Sequence, residues 1–205
     1  MQRKVVEDIM GMRIQDFQKL MRYKVRKILL VASLYDYYLF EEDGRLYELI
    51  RQEYQALNLS QSPDIIHVTS GEEAISLLAS DDRFDLVIAT LHLEDMNVIH
   101  FAEKARQSGV NIPIILLAYD SRERKELRLR YDLSTFERIF VWHGDYRLIV
   151  AIIKYIEDKL NVANDVATFG VQCIILVEDS VSFYSSYLPL LYTEIFNQSR
   201  HLIAE

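Results

Sequence analysis

The sequence has a single cysteine, Cys173, which lies in an apolar run. One thiol can form neither an internal disulfide nor a cysteine-rich zinc site, and this usage is typical of a reducing compartment. We therefore expect a cytoplasmic protein. No apolar run reaches the roughly 18 residues that a membrane-spanning helix needs, and the first residues lack the apolar stretch of a secretion signal.

Glycine and proline are also scarce, with six and three residues in a chain of 205, and no low-complexity segment is found. Half of the residues are hydrophobic, which is enough for a substantial core. The formal net charge of −8 argues against a general nucleic-acid binder. No phosphate-binding loop, dinucleotide fingerprint or nucleophile–base pair is present, so we expect neither enzyme activity nor a cofactor within these residues.

Positive charge is concentrated at the start of the chain, where residues 1–27 contain eight Lys or Arg and three acidic residues. Apolar residues recur there at helical spacing, at Val6, Met10, Ile14, Phe17 and Met21. The pattern predicts an amphipathic helical segment over residues 1–26 that docks or dimerises. A membrane-surface helix is the alternative, but the acidic residues dilute its basic face.

Five short apolar runs follow, separated by helix-like segments. Short, uninterrupted runs with β-branched members are typical of strands buried on both faces of a parallel sheet. The runs are Ile28–Ala32, Ile65–Thr69, Leu86–Ala89, Ile112–Ala118 and Arg138–Trp142. Strict alternation with helices over residues 27–161 predicts an α/β domain with a doubly wound parallel sheet, in the flavodoxin-like order 2-1-3-4-5.

The connections between these runs carry local signals. Ser70, with Glu73 three residues later, predicts a capping box at a helix start, and Gly109 predicts a helix end. The stretch from Ser33 to Asp43 is polar and aromatic, and we expect it to be a long solvated loop.

The first strand pattern recurs near the end of the sequence. Lys27–Ser33 (KILLVAS) aligns with Cys173–Asp179 (CIILVED), and a helix-like segment follows. An internal repeat predicts a second domain. The predicted units are an N-terminal helical segment (1–26), an α/β domain (27–161), a polar linker (162–171) and the first strand and helix of a second α/β domain (172–205).

Four stretches of the sequence share the residue pattern of one known family: VTSGEEAISLL (68–78), FDLVIATLHLEDMN (84–97), IPIILLAYDS (112–121) and LVEDS (176–180). They resemble the receiver domain of bacterial two-component response regulators, over residues 27–161 and part of 172–200. The resemblance implies a CheY-like fold and a signalling role in which a phosphorelay modifies one aspartate.

In that family, an acidic pair after the first strand and an aspartate after the third hold Mg²⁺, and this aspartate accepts the phosphoryl group. A hydroxyl residue ends the fourth strand and a lysine ends the fifth. Matching the strand ends places these roles on Ala32, Ser33, Thr90, Ala118 and Trp142. None of the five has the required chemistry, so the resemblance implies a pseudo-receiver with a degenerate phosphoacceptor pocket and no bound metal.

Residues near this pocket allow other interpretations. Trp142 either stacks on a ligand or plugs the emptied pocket, and we expect the plug. Asp36 and the run Glu41-Glu42-Asp43 could supply substitute carboxylates, but they lie several residues beyond the strand end, where we expect solvated loop. His92 and His143 could approach each other, but no metal-ligand spacing supports a site and we expect surface histidines.

Two charged groups complete the set of candidates. Glu178 and Asp179 form an acidic pair in the second unit, but within this chain no third-strand aspartate completes that site. Basic residues after the fourth strand either dock a protein partner or form a solvated helix face. These partner-docking candidates are Arg122, Arg124, Lys125 and Arg128. The expected partner is a protein, the chain's own downstream domains or a second copy, and neither nucleic acid nor a membrane.

Together these patterns predict a regulatory module for signal transduction that acts by phosphorylation-independent protein–protein interaction. The strings ILLVASLYD (28–36), EEDGRLYEL (41–49), RIFVWHGD (138–145) and VEDSVSFYSSYLPLLYTEI (177–195) are similar to N-terminal regions of large bacterial proteins. In those proteins, receiver-like domains precede a region like phosphoenolpyruvate synthase or pyruvate phosphate dikinase. Two alternatives follow: a metabolite-sensing domain of such an enzyme, or a phosphorelay regulator whose active site lies in the incomplete second receiver.

Overall fold

The computed structural model describes residues 21–40, 45–57, 59, 61–119 and 131–204, with side chains up to residue 198. In this part of the chain, five strands form one sheet: β1 (Lys27–Val31), β2 (Asp64–Val68), β3 (Leu86–Thr90), β4 (Ile114–Ala118) and β5 (Arg138–Val141). The order is β2-β1-β3-β4-β5 and every pairing is parallel. The predicted flavodoxin-like order is therefore confirmed.

The same residues form helices between and after the strands. These helices are α1 (Leu34–Phe40), α2 (Leu46–Ala56), α3 (Gly71–Ser80), α4 (Val98–Gln107), α5 (Arg147–Phe169) and α6 (Val181–Ala204). None of the helices in the described part of the chain is long and apolar enough to cross a membrane.

Alternate residues of the central strands face opposite sides of the sheet, and both sides are buried. In β1, Ile28 and Leu30 join one core cluster, whereas Leu29 and Val31 join the other. All five residues of β3 and all five of β4 are buried. Each fully buried Leu, Ile or Val side chain contributes roughly 1.5–3 kcal/mol, so the sequence runs become strands because helices cover them on both faces.

The local signals in the connections are also found. The Ser70 hydroxyl accepts the backbone N–H of Glu73 at 3.1 Å, at the start of α3. Gly109 follows α4 with a φ of +86°, a left-handed conformation that glycine adopts without steric cost. The capping box and the helix end were therefore predicted correctly.

The chain that leads into β1 is fixed to α5 through its backbone. Residues 21–26 form no helix, and residues 1–20 of the predicted N-terminal helix lie outside the described residues. Three alternate N–H groups donate to three α5 side chains: Met21 to Asp165 Oδ2, Tyr23 to Asn161 Oδ1 and Val25 to Glu157 Oε1, at 3.2, 2.9 and 2.9 Å. The donors are two residues apart in extended chain, which spans about 6.6 Å, and the acceptors are four residues apart in a helix, which spans about 6 Å. Donors and acceptors are therefore almost equally spaced.

The predicted polar linker at residues 162–171 is mostly helix. α5 continues to Phe169 and ends at Gly170, which has a φ of +64°. The polar residues that suggested a linker have partners: Asn161 and Asp165 bond to the backbone of the chain before β1. Polarity in this segment therefore reflects a buried polar contact between α5 and that chain.

The predicted strand in the repeat does not form among the described residues. Residues 171–180 belong to no helix or strand, and Ile174, Ile175 and Val177 are exposed. The backbone N–H and C=O groups of a strand need a neighbouring strand as hydrogen-bond partner. β5 is the last strand of the sheet, and α6 packs against it at that edge, so no further strand is paired there.

Helix α6 is held against β5 and α5 by both apolar and polar contacts. Tyr184 and Leu188 are buried in the same core cluster as the sheet. The Val141 N–H donates to the Ser185 hydroxyl at 2.9 Å, and the Arg138 guanidinium lies 3.7 Å from the centre of the Tyr184 ring. The α/β core therefore includes side chains beyond residue 161, where the sequence placed the end of the domain.

We expect the substitution Asn161→Ala to lower the free energy of unfolding by about 1–3 kcal/mol, because it leaves the Tyr23 N–H and C=O without their side-chain partner. Urea denaturation measures the change. Asn164→Ala is the matched control, since Asn164 lies on the same helix and its side-chain amide bonds only to Asp165. Equal losses in the two variants would contradict the predicted role of Asn161.

Candidate functional site

The five positions at the strand ends lie together at the carboxyl edge of the sheet. Ala32, Thr90 and Ala118 are fully buried, Trp142 is 7% exposed and Ser33 is half-buried. The backbone N–H of Trp142 donates to the Ala118 carbonyl at 2.7 Å. None of these five side chains is a carboxylate or a lysine, the groups that a phosphoryl-transfer site uses.

Helix α1 covers this edge, and we call residues 34–40 the cap. The Phe40 ring packs edge-on against Trp142, with the ring centroids 4.9 Å apart, and lies 5.6 Å from the Tyr119 ring. Trp142 therefore fills the position after β5 and is covered by the chain itself. The indole is buried by protein atoms, as a plug requires, and its ring is not open for stacking on a ligand.

Further contacts join the cap to the other strand ends. The Ser33 hydroxyl accepts the Asp36 N–H at 3.1 Å, and the Tyr119 hydroxyl donates to the Asp36 carbonyl at 3.1 Å. The Tyr37 ring stacks on His67, with the centroids 3.9 Å apart. The expectation of a solvated loop from Ser33 was wrong for residues 34–40, because these contacts order them as a helix across the edge of the sheet.

Asp36 is the functional candidate that the sequence argument misjudged. Its side chain is buried, with the residue 2% exposed, and its Oδ2 has no hydrogen-bond partner. The His92 Nδ1 lies 3.9 Å from that oxygen. Burial raises the pKa of Asp36, opposed by the Thr90 hydroxyl and by the charge of His92 when protonated. The signal in the sequence was an acid within an aromatic stretch, LYDYYLF, where an exposed loop would be expected to be more polar.

The residues at this edge do not fit Mg²⁺. A hard divalent cation needs several oxygen ligands, usually with more than one carboxylate, and Asp36 is the carboxylate found beneath the cap. In the described ranges, no cluster of three or more His, Cys, Asp or Glu side chains could hold a metal ion. His92 and His143 are exposed, and His143 Nε2 lies 3.1 Å from the Ser182 hydroxyl. Both histidines are therefore at the surface, as predicted.

The other candidates lie away from the carboxyl edge. Arg122, Arg124, Lys125 and Arg128 are outside the described residues. Glu178 accepts the Ser180 N–H at 2.8 Å, and the neighbouring Asp179 is exposed. This acidic pair lies in the irregular segment before α6, and the structure does not bring it to the strand ends of the described sheet.

A cavity of about 500 Å³ lies between α5, α6 and residues 171–176. Its lining is mixed: apolar and aromatic side chains such as Ile175, Tyr184 and Leu188 lie beside charged and polar ones such as Arg138 and Asp158. The volume is within the range of small-molecule sites. The cavity is at the side of the sheet, away from the strand ends.

We expect Trp142→Ala to lower the free energy of unfolding by about 3–5 kcal/mol, because it removes a buried ring and leaves a cavity beneath Phe40. Tyr35→Ala is the control, since Tyr35 is 72% exposed on the same cap and its loss should cost at most about 0.5 kcal/mol. Thermal and urea unfolding measure both variants. A small loss for Trp142→Ala would instead favour an open platform for a ligand.

Comparisons with known proteins give a shared fold. No protein-family model matches the sequence, and no curated protein matches it significantly. Among solved structures, the chain is similar to the receiver domain of a Francisella response regulator, with 16% identity, coverage of 66% of this chain and 98% of that one, and a TM-score of 0.45. It is also similar to the response regulator TrrA from Thermotoga maritima in complex with Mg²⁺ and BeF, with 22% identity, coverage of 64% and 98%, and a TM-score of 0.45. A third similar structure is the signal receiver domain of an HD domain-containing protein from Pseudomonas fluorescens, with 20% identity, coverage of 70% and 94%, and a TM-score of 0.46.

Proposed function

We propose that the α/β domain is a regulatory module for signal transduction that acts by binding proteins and does not accept phosphate. One observation carries the proposal: the five strand-end positions are occupied by Ala32, Ser33, Thr90, Ala118 and Trp142, and the cap closes over them. A phosphoacceptor needs an exposed carboxylate beside a metal and a lysine. The one carboxylate found beneath the cap, Asp36, is buried and has no such neighbours among the described residues.

The surface of the domain supports a binding role. Ile174, Ile175 and Val177 are 69%, 84% and 86% exposed, and Phe183 and Tyr187 on the outer side of α6 are also exposed. Apolar side chains that are contiguous in the chain and uncovered mark interaction sites. We propose that this face contacts further domains of a larger bacterial protein, because its segment 173–177 repeats the sequence of β1.

Two other functions remain as alternatives. A metabolite-sensing domain of an enzyme like phosphoenolpyruvate synthase is favoured by one feature, the cavity of about 500 Å³ beside α5 and α6. A phosphorelay regulator is favoured by the acidic pair of Glu178 and Asp179, which a second receiver would have to complete. The fusion to such an enzyme rests on the sequence strings alone.

A thermal-shift measurement separates the metabolite alternative from the docking module. The docking proposal expects no change in melting temperature with phosphoenolpyruvate, pyruvate or nucleotides. Saturable stabilisation by one of them, lost when Leu188→Trp fills the cavity, would favour the metabolite-sensing alternative instead.

We expect titration with Mg²⁺ and beryllofluoride to leave the amide NMR spectrum unchanged around Thr90, because the carboxylates and the lysine of a phosphoryl site are missing there. A phosphorylatable receiver domain titrated in parallel is the positive control. Saturable shifts at Thr90 would contradict the proposal. Shifts confined to residues near Glu178, and abolished in the double variant Glu178→Ala and Asp179→Ala, would favour the phosphorelay alternative.

A further inference from the structure

The cap buries a carboxyl group that has no full set of partners. Asp36 is 2% exposed, and its Oδ2 accepts no hydrogen bond from the described residues. The His92 Nδ1 is 3.9 Å away, which is beyond hydrogen-bond distance. The Thr90 hydroxyl and the His92 backbone N–H favour the ionised carboxylate, but burial with one oxygen unpartnered is the larger effect and favours the protonated form. The closed cap therefore favours a proton on Asp36.

The groups that surround Asp36 come from several elements. The loop after β3 contributes His92, the end of β3 contributes Thr90, and the position after β4 contributes Tyr119. Ser33 after β1 bonds to the Asp36 backbone, and His67 of β2 stacks on the neighbouring Tyr37. No lysine or arginine of the described residues forms an ion pair with Asp36; residues 41–44 and 120–130 are outside them.

Four of the seven side chains of the cap are large, apolar or aromatic, and exposed: Leu34, Tyr35, Tyr38 and Leu39 at 53%, 72%, 70% and 44%. The two buried side chains are Asp36 and Phe40. A short helix with so little buried surface opens locally at a lower free-energy cost than the sheet beneath it. A single ionisation can therefore change its closed population.

We propose that the cap is a pH-dependent lid over the strand ends, held closed by a proton on Asp36. Opening withdraws Phe40 from Trp142 and exposes Trp142 and Thr90 at the strand ends. The lid is a property of the cap and the sheet, and it is independent of which protein the domain binds.

The direction of the effect follows from the burial of the acid. Because the pKa of Asp36 is raised in the closed state, that state binds a proton that the open state releases. The stabilisation is complete below the ordinary range of an aspartate and is lost as the pH rises through the raised pKa.

The single tryptophan of the chain provides the measurement, since Trp142 lies against Phe40 of the cap. We expect acrylamide quenching of its fluorescence to rise about twofold or more between pH 4 and pH 8, roughly the range over which aspartate and histidine titrate. Far-UV circular dichroism should stay constant over the same range, which separates opening of the lid from unfolding of the domain.

Three variants test the assignment. Asp36→Asn should give low quenching at every pH, because the isosteric amide carries no charge. His92→Gln should increase quenching once Asp36 ionises, because His92 favours the ionised form of Asp36 in the closed state. His143→Gln is the matched control, since His143 bonds to Ser182 and should leave the profile unchanged.

Two results would overturn the proposal. One is wild-type quenching that does not change with pH, and the other is a pH dependence of quenching that Asp36→Asn retains in full. If Asp36→Asn does not fold, His92→Gln still decides, because a profile identical to the wild type would exclude an Asp36–His92 latch. The Mg²⁺ and beryllofluoride titration is unaffected by these results, so the lid and the proposed function can fail separately.

Discussion

Burial of the Phe40 and Trp142 rings against one another is the contact on which the closed carboxyl edge of the sheet depends. Parallel strands end in backbone groups and side chains that need a ligand, solvent or other protein atoms over them. Here Phe40 extends from α1 and Trp142 follows β5, so two elements far apart in the sequence close the edge with apolar surface. The edge is covered by side chains of the chain itself, and this explains how strand ends without charged groups can remain ordered.

The opposite end of the sheet is held by polar contacts between residues that are also far apart in the sequence. The N–H groups of Met21, Tyr23 and Val25 bond to side chains on α5 that lie 132 to 144 residues later in the chain. On another side, α5 packs against α6, whose Tyr184 and Leu188 enter the core. Helix α5 therefore joins the start of the chain, the sheet and the last helix, and a fragment ending at residue 161 would lose the Asp165 contact and the whole of α6.

Sequence patterns predicted the sheet because each buried strand carries its own signal. An apolar run such as Leu86–Ala89 is fully buried only in the middle of a sheet that is covered on both faces. Ser70 and Gly109 mark helix ends because the interactions that fix them are within a few residues. The positions of the candidate site followed from the strand ends for the same reason. Prediction failed where the partner of a residue lies far away in the chain.

The cap is the main example of that failure. The stretch LYDYYLF lacks an amphipathic period, and its helix forms because Phe40 and Asp36 meet groups after β3, β4 and β5. Asn161 and Asp165 suggested a polar linker because the sequence does not show their hydrogen-bond partners. Those partners are the backbone N–H groups of Tyr23 and Met21, far away in the chain. The repeat at residues 173–177 predicted a strand from an apolar run alone, and a run becomes a strand only beside another strand.

Asp36 is a buried acid with an incomplete set of partners. Lys154 and Glu157 are paired at 2.7 Å, whereas one oxygen of Asp36, like the Tyr54 hydroxyl, has no hydrogen-bond partner among the described residues. An asparagine or a leucine would avoid the cost of that burial, so the acid does not serve stability. Local conflicts of this kind are expected at functional sites. The five strand-end positions hold no carboxylate or lysine, and a buried acid lies beside them under the cap, so we propose protonation as a chemical change to which this edge responds.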